Sequence, residues 1–371
     1  MGKKLLFVVN VDWFFISHRL PLALEGIKRG YEVHLACGIT DKKEFLNKLG
    51  LKVHPLHISR GTAHLTEEIK TFVEIYKVLK NVSPDIAHFV TIKPILYGGV
   101  ACRFLNIRKK VFAISGLGFT FVKQGLKWKI LRTVIKRMYR LALGNKYSHV
   151  IVQNPDDKYF VNSIVNVPIT LIPGSGVDLS QYRYTQENNR NVKVVMASRL
   201  LKDKGVFEFV EAAKILKLKY PNVEFALYGD IDPYNPSSLT KVDIDNIKKE
   251  GVVNIYGYSS NIAKVFSDSN IIVLPSYYRE GLPKVLIEAA ACGRAVVTTN
   301  VPGCRDAIEP NITGLLCEPK NVHSLVEQIE KLILDEQLRN SMGKAGRNLA
   351  EREFDIQKVV EKHFEIYEKE L

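Results

Sequence analysis

The sequence predicts an α/β protein built as two successive units, each a parallel sheet wrapped by helices. Its 371 residues exceed what one ordinary core organises and suit two domains of roughly 150 to 200 residues. Short β-branched runs alternate with helix-length segments along the chain, the rhythm of parallel strands joined by crossover helices. The polar stretch Ser180–Asn191, rich in Gln, Asn and Tyr and without apolar periodicity, separates two such series.

In the first series the strand candidates are Leu5–Val9, Val33–Ala36, Ile86–Phe89, Val111–Ile114, Val150–Val152 and Ile169–Ile172. The second runs through Val192–Met196, Val223–Leu227, Val253–Tyr256, Ile271–Leu274, Ala295–Thr298 and Leu315–Leu316. Both are Rossmann-like. The expected domains are residues 1–180 and 181–355, followed by a helix, 356–371, long enough to pack back across the cleft between them. A ligand in such a cleft meets the C-terminal ends of the strands, where loops and helix N-termini converge.

A chain that is 46% hydrophobic and 25% charged, with no repeat and no apolar stretch able to span a bilayer, is globular. Met1–Asn10 runs from two lysines into a short apolar strand and lacks the apolar core and cleavage site of a signal peptide. Cys37, Cys102, Cys292, Cys304 and Cys317 are odd in number and scattered through core-like segments. They read as buried thiols of a reducing compartment, so the cytoplasm is the expected location. The net charge of +14 is uneven: residues 1–183 hold 28 Lys and Arg against 12 Asp and Glu, residues 184–371 hold 25 against 27. The first half is thus expected to face a polyanion, be it nucleic acid, an anionic membrane or a phosphorylated substrate.

Within Leu274–Pro283 a buried strand gives way to a polar loop and then to Pro before the helical run Lys284–Ala291. The helix is expected to begin at Leu282 or Pro283, leaving the amides of Lys284 and Val285 to receive a phosphate. Gly281 allows close backbone approach to a ligand. Glu280 and Glu288 can each accept hydrogen bonds from vicinal hydroxyls, as sugars offer them, although either acid alone is as readily a solvated residue. A second βα loop, Ala197–Gly205, follows the first strand of the second series. Its Arg199 presents a planar donor fork and its Lys204 a point charge. The two suit a diphosphate and the charge that develops on a departing nucleoside diphosphate.

Together these segments resemble the family 4 retaining glycosyltransferases of GT-B architecture over nearly the whole chain. The likeness rests on Arg199 with Lys204, Glu280 with Glu288, and Ala291–Val297 followed by Pro302 and Gly303. It implies two Rossmann-like domains with sheets facing a cleft. Glu280, with Gly281 and Leu282 beside it, would meet the donor sugar, Glu288 the nucleotide ribose, and Arg199 and Lys204 the diphosphate. Phe15–Pro21 and Ile114–Phe119 are similar to members that add an N-acetylhexosamine to undecaprenyl-diphosphate-linked sugars in O-antigen, capsule or N-glycan assembly. On that likeness Glu280 and His18 are the catalytic candidates, His18 bonding donor or acceptor hydroxyls; the alternative is a helix histidine satisfied by backbone. Gly116 and Gly118 either admit a sugar or phosphate or form a plain turn. Many relatives carry a Gly-Gly pair in the first βα loop, where this chain has Asn10-Val11-Asp12, so the diphosphate's contact with the first domain stays open.

From Lys123 to Lys146 eight basic residues occur with no acid, interleaved with Trp128, Leu131, Ile135, Met138, Leu141 and Ala142 near helical spacing. A basic amphipathic helix of this kind lies on an anionic bilayer, gaining about 1 kcal/mol per basic residue. Lys129, Arg132, Lys136 and Arg137 are the expected contacts to membrane or to a pyrophosphate-linked lipid. Alternatively the apolar face packs on the sheet and the charges are solvated. Asp230-Ile231-Asp232 and Asp243-Ile244-Asp245 imitate a metal motif but are expected in a solvated loop region around Pro233–Pro236. With Arg199, Lys204 and helix amides to neutralise the diphosphate, no metal and no cofactor is expected. The expected activity is retaining transfer of an N-acetylhexosamine from a UDP-sugar to a lipid-diphosphate-linked saccharide, on the inner face of the cell membrane and without nucleic acid. The rivals are a UDP-sugar 2-epimerase of similar fold and a basic, non-catalytic polyanion-binding protein; few aromatics interleave the basic residues, which disfavours single-strand stacking.

Overall fold

The computed structural model describes residues 2–59, 64–116, 126–187 and 191–369, with residues 126–130 described as backbone only. The chain forms two compact units, Met1–Ser175 with Gln357–Leu371, and Gly176–Ile356. Both are α/β with parallel sheets, as the alternation of strand and helix patterns predicts.

The first unit holds β1 (Lys4–Val11), β2 (Glu32–Gly38), β3 (Lys52–Pro55), β4 (Ile86–Val90), β5 (Lys109–Ile114), β6 (Ser148–Val152) and β7 (Ile169–Leu171), in the order β3-β2-β1-β4-β5-β6-β7. Its central strands are buried without alternation, because helices cover both faces of the sheet. β3 has no counterpart among the sequence expectations: Lys-Val-His-Pro is a polar edge strand with no buried residue, so no apolar run marks it. The chain leaves β1 towards β2 and β3, then returns to β4 on the other side of β1. This reversal opens a crevice at the C-terminal ends of β1 and β4.

The helix Ile356–Glu368 belongs to this unit from Gln357 onward. Phe364 and Tyr367 are buried in it. Arg29 reaches Glu361 at 2.5 Å and Glu368 at 3.4 Å, and the Tyr367 hydroxyl lies 2.5 Å from His88 Nδ1. The Lys109 ammonium, buried at the start of β5, donates to the carbonyls of Ile366 and Tyr367, each at 3.0 Å, and so closes the helix end.

The second unit holds β8 (Lys193–Ala197), β9 (Glu224–Tyr228), β10 (Asn254–Gly257), β11 (Ile271–Leu274), β12 (Ala295–Thr299) and β13 (Gly314–Cys317), in the order β10-β9-β8-β11-β12-β13. Here the order reverses between β8 and β11. The unit begins at Gly176, ahead of the stretch expected as a linker. Val177 bridges to Asp355, Tyr182 joins the hydrophobic core, and Glu187 forms a buried ion pair with Arg339 at 3.1 Å. These partners lie more than a hundred residues along the chain, which is why the polarity of the stretch conceals the packing of Tyr182 and Glu187.

All five cysteines are buried and none is disulfide-bonded. Burial pushes the thiols of Cys102, Cys304 and Cys317 up to about 12. Among the described residues no helix is long and apolar enough to cross a membrane.

Candidate active site

Two loops meet where the order of the second sheet reverses. The first follows β8 and carries Arg199 to Gly205; the second follows β11 and carries Pro275 to Pro283. Gly205 sits at φ +81°, and a Cβ there would collide with the Pro275 carbonyl, so glycine lets the loops touch. The contact is then sewn by hydrogen bonds: Tyr277 N–H donates to the Asp203 carbonyl at 3.0 Å, and the buried Ser276 hydroxyl lies 3.2 Å from the same oxygen. Across this seam the Lys204 ammonium donates to Glu280 Oε2 at 2.6 Å, while Ser276 Oγ donates to Glu280 Oε1 at 2.8 Å. Both charged side chains are largely withdrawn from water, 13% and 14% exposed. Behind them Gly303, at φ +86°, backs onto the loop: a Cβ would stand 2.5 Å from the Gly281 carbonyl oxygen and 2.7 Å from that of Glu280.

The helix begins at Lys284, with Pro283 as its extended cap residue at φ −64° and ψ 121°. It therefore starts one or two residues later than the sequence expectation, because Pro283 turns the chain before entering the helix. The Pro283 side chain makes no cap hydrogen bond, and the amides of Lys284 and Val285 fall in the first turn, at the positive end of the helix dipole. Gly281 and Leu282 are buried beneath the loop. One turn into the helix, Glu288 Oε1 accepts from the Tyr182 hydroxyl at 2.8 Å and lies 3.4 Å from Lys284 Nζ. Burial raises the Glu288 carboxyl above the ordinary value, while Lys284 and the Tyr182 hydroxyl pull it down.

Arg199, at the head of the first loop, engages a different acid: its Nη1 donates to Asp232 Oδ2 at 2.8 Å. Asp232 is buried, which corrects its expected place in a solvated loop; the arginine and the Ser238 hydroxyl, 2.9 Å from its amide, hold it in. Asp243 is likewise no loop residue: it completes the capping box of the helix Lys241–Glu250 with Thr240, and Asp245 lies within that helix. Among the described residues no three His, Cys, Asp or Glu side chains group as metal ligands. At the same end of the sheet a cavity of about 450 Å³ opens beside Gly229, Asp230, Lys241, Asp245 and Gly257.

Thus the second unit offers a carboxylate held by an ammonium and a hydroxyl, a helix start, a second buried carboxylate and an arginine, all on loops and a helix at one end of one sheet. The family model for glycosyl transferases group 1 matches residues 182–349, and that for glycosyl transferase 4-like proteins matches residues 4–154. The chain belongs to the glycosyltransferases. Over 377 aligned residues it is 29% identical to the N,N'-diacetylbacillosaminyl-diphospho-undecaprenol alpha-1,3-N-acetylgalactosaminyltransferase of Campylobacter jejuni, covering 96% of this chain and 98% of that relative. It is 26% identical to the capsular polysaccharide biosynthesis glycosyltransferase CapM of Staphylococcus aureus, over 95% of this chain and 94% of CapM. In fold it is similar to the sucrose-phosphate synthase of Thermosynechococcus elongatus, with a TM-score of 0.81 at 19% identity over 99% of this chain and 98% of that one. Anabaena HepE in complex with UDP gives a TM-score of 0.78 at 17% identity over 98% and 99% of the two chains.

In the first unit of this glycosyltransferase, His18 ends the short helix Asp12–His18. Its ring stacks on Phe14 at 4.1 Å, and Nδ1 lies 3.2 Å from the Phe14 carbonyl. Gly116 adopts φ +95° just past β5; Gly118 lies outside the described residues. Arg132, Lys136 and Arg137 lie on the helix Leu126–Leu143, and the side chain of Lys129 lies outside what is described. Three residues of the candidate site have no binding role among the sequence expectations: Ser276, Tyr182 and Asp232. Ser276 alone carries a local signal, four positions before Glu280 in the same loop; the other two reach their partners through tertiary folding.

Proposed function

We propose that this glycosyltransferase moves an N-acetylhexosaminyl unit from a UDP-sugar to an undecaprenyl-diphosphate-linked saccharide, with retention at the anomeric carbon and without a metal ion. The observation that carries the donor half is the Lys204–Glu280 pair at the sheet reversal, beside the helix start at Lys284. In this reading the amides of Lys284 and Val285 and the cations Lys204 and Arg199 take up the charge of the departing diphosphate. An ammonium has three donors, so the bond to Glu280 leaves Lys204 able to serve a phosphate oxygen as well. Glu280 accepts from donor-sugar hydroxyls, and Glu288, already oriented by Tyr182, accepts from the ribose. Leaving-group stabilisation and orientation then do most of the work, and retention follows from attack on the face the nucleotide leaves. The acceptor half is supported by the activities for which two relatives are named. One is the Campylobacter enzyme; the other is the UDP-Gal:alpha-D-GlcNAc-diphosphoundecaprenol alpha-1,3-galactosyltransferase of Escherichia coli, 25% identical over 82% of this chain and 80% of its own.

A lipid-linked acceptor brings the protein to a membrane surface, and the helix Leu126–Leu143 supports peripheral attachment there. Its Tyr139, Ala142 and Leu143 are buried against the first unit, while Leu131, Val134 and Leu141 are exposed among Lys136, Arg137 and Arg140. This divides the apolar positions between two faces, so packing on the unit leaves a basic and apolar face outward.

The test is a panel of UDP- and other nucleotide-linked hexoses, scored for UDP release and for lipid-linked product, with and without EDTA. Product from a UDP-N-acetylhexosamine that survives EDTA is expected. Manganese-dependent turnover would overturn the metal-free reading, and conversion of the UDP-sugar with no acceptor present would favour the epimerase.

A further inference from the structure

At the C-terminal ends of three adjacent strands of the first unit, side-chain oxygens are buried without a hydrogen-bond partner: Asn10 Oδ1 at β1, Thr91 Oγ1 at β4 and Ser115 Oγ at β5. Asn10 and Thr91 flank the reversal point of the sheet. Each follows the last residues paired across β1, β4 and β5: Asn10 comes two after Val8, which pairs with Phe89, Thr91 comes two after Phe89, and Ser115 comes two after Ala113, which pairs with Val90. At the usual strand spacing of about 4.8 Å the three positions span about 10 Å, the scale of a hexose with its substituents.

Thr91 adds an independent observation. It adopts φ +72° and ψ 164°, a region essentially reserved for glycine, although it is β-branched. It also precedes the helix Ile92–Ala101 without capping it, since its side chain makes no bond to the helix start. A threonine that is strained, unbonded and not a cap gains nothing from the fold around it. The three groups are moreover uncharged. The acid nearest to Asn10 in sequence, Asp12, is fully buried, and its carboxylate is consumed by the Thr40 amide at 2.7 Å, the Thr40 hydroxyl at 2.9 Å and the Trp13 amide at 2.8 Å. Two hydroxyls and an amide oxygen match neutral hydroxyl groups better than a phosphate.

We propose that Asn10, Thr91 and Ser115 form a subsite for the hydroxyls of a sugar ring, with Thr91 held in its strained conformation to present its oxygen. The inference rests on the glycosyl-transfer reading. A sugar ring can come from the acceptor saccharide or from the donor hexose, and kinetics separates them.

Saturation-transfer NMR on the full chain without UDP, using free N-acetylglucosamine and N-acetylgalactosamine, is expected to show contact in the wild type. The signal is expected to disappear in the Asn10→Ala/Thr91→Gly/Ser115→Ala variant, while UDP affinity measured separately stays unchanged. Loss of UDP binding in the wild type would sink the second-unit reading and leave this one to the sugar signal. Thr91→Gly alone is expected to raise Tm by about 2–4 °C, since it releases the strain, and to raise one KM at least tenfold. A rise for an undecaprenyl-diphosphate-linked N-acetylglucosamine acceptor assigns the ring to the acceptor; a rise for UDP-N-acetylgalactosamine assigns it to the donor. The proposal is overturned by no sugar contact in the wild type, by equal contact in the triple variant, or by a lower Tm in Thr91→Gly.

Discussion

Lys204 and Glu280 meet at 2.6 Å with most of their surface out of water, and removing one leaves the other as an uncompensated charge. Glu280→Gln keeps the shape and an acceptor for Lys204 but removes the charge that orders ammonium and sugar. A fall in kcat of about a hundredfold to a thousandfold is expected, with UDP affinity nearly unchanged; turnover near the wild-type rate would remove Glu280 from the site. Glu288 makes a prediction in pH. Burial raises its carboxyl pKa in the folded protein, so ionising it costs stability, and that cost is relieved as pH falls through the raised value. In the proposed scheme ribose hydroxyls, by contrast, donate to the ionised form, so UDP affinity is expected to be lost in the same fall. The Tyr182 hydroxyl stabilises the ionised form. Tyr182→Phe should therefore move the acid limb of UDP affinity to higher pH, and Glu288→Gln should flatten it, as titration calorimetry across the acid range will show.

Among the elements, the loop after β11 depends on a neighbour that contacts no substrate in the proposed scheme. Gly303→Ala introduces a Cβ at φ +86° against the carbonyls of Gly281 and Glu280, so the loop must shift. Loss of at least tenfold in kcat/KM is expected at a misplacement of this kind, with far-ultraviolet circular dichroism unchanged; wild-type kinetics would show the loop to be indifferent to its backing. These elements also mark what the sequence discloses. Strands β8, β11 and β12 each have an apolar centre, and the loops after β8 and β11 carry Arg199, Lys204 and Glu280 in recognisable spacing, so the residues proposed for the donor are legible locally. The partners are not. Tyr182 lies 106 positions from Glu288 in sequence, and Asp232 lies 33 from Arg199. In sequence both look like polar surroundings, because their meaning depends on the register of strands and the return of the chain. β3 is hidden because an edge strand need not be apolar.

For the whole molecule, charge and exposed apolar surface argue together. The basic excess belongs to residues 1–183, and the helix Leu126–Leu143 turns Leu131, Val134 and Leu141 outward among arginines and lysines. Flotation with anionic vesicles should recover the protein, and neutral vesicles should not. Replacing Arg132, Lys136 and Arg137 by Glu should weaken recovery by roughly a hundredfold in apparent affinity, at about 1 kcal/mol per basic residue removed; equal recovery on both vesicle types would count against membrane attachment. The order of the chain through its two units has another consequence. The ribosome completes all of residues 176–356 before residues 357–371 emerge, yet the latter supply Phe364, Tyr367 and the carbonyls that receive Lys109 in the first unit. The first unit therefore keeps an apolar face uncovered until the chain of the second has been made. Covering that face is a long-range closure, spanning the whole of residues 176–356, and so among the slowest contacts of the fold to form.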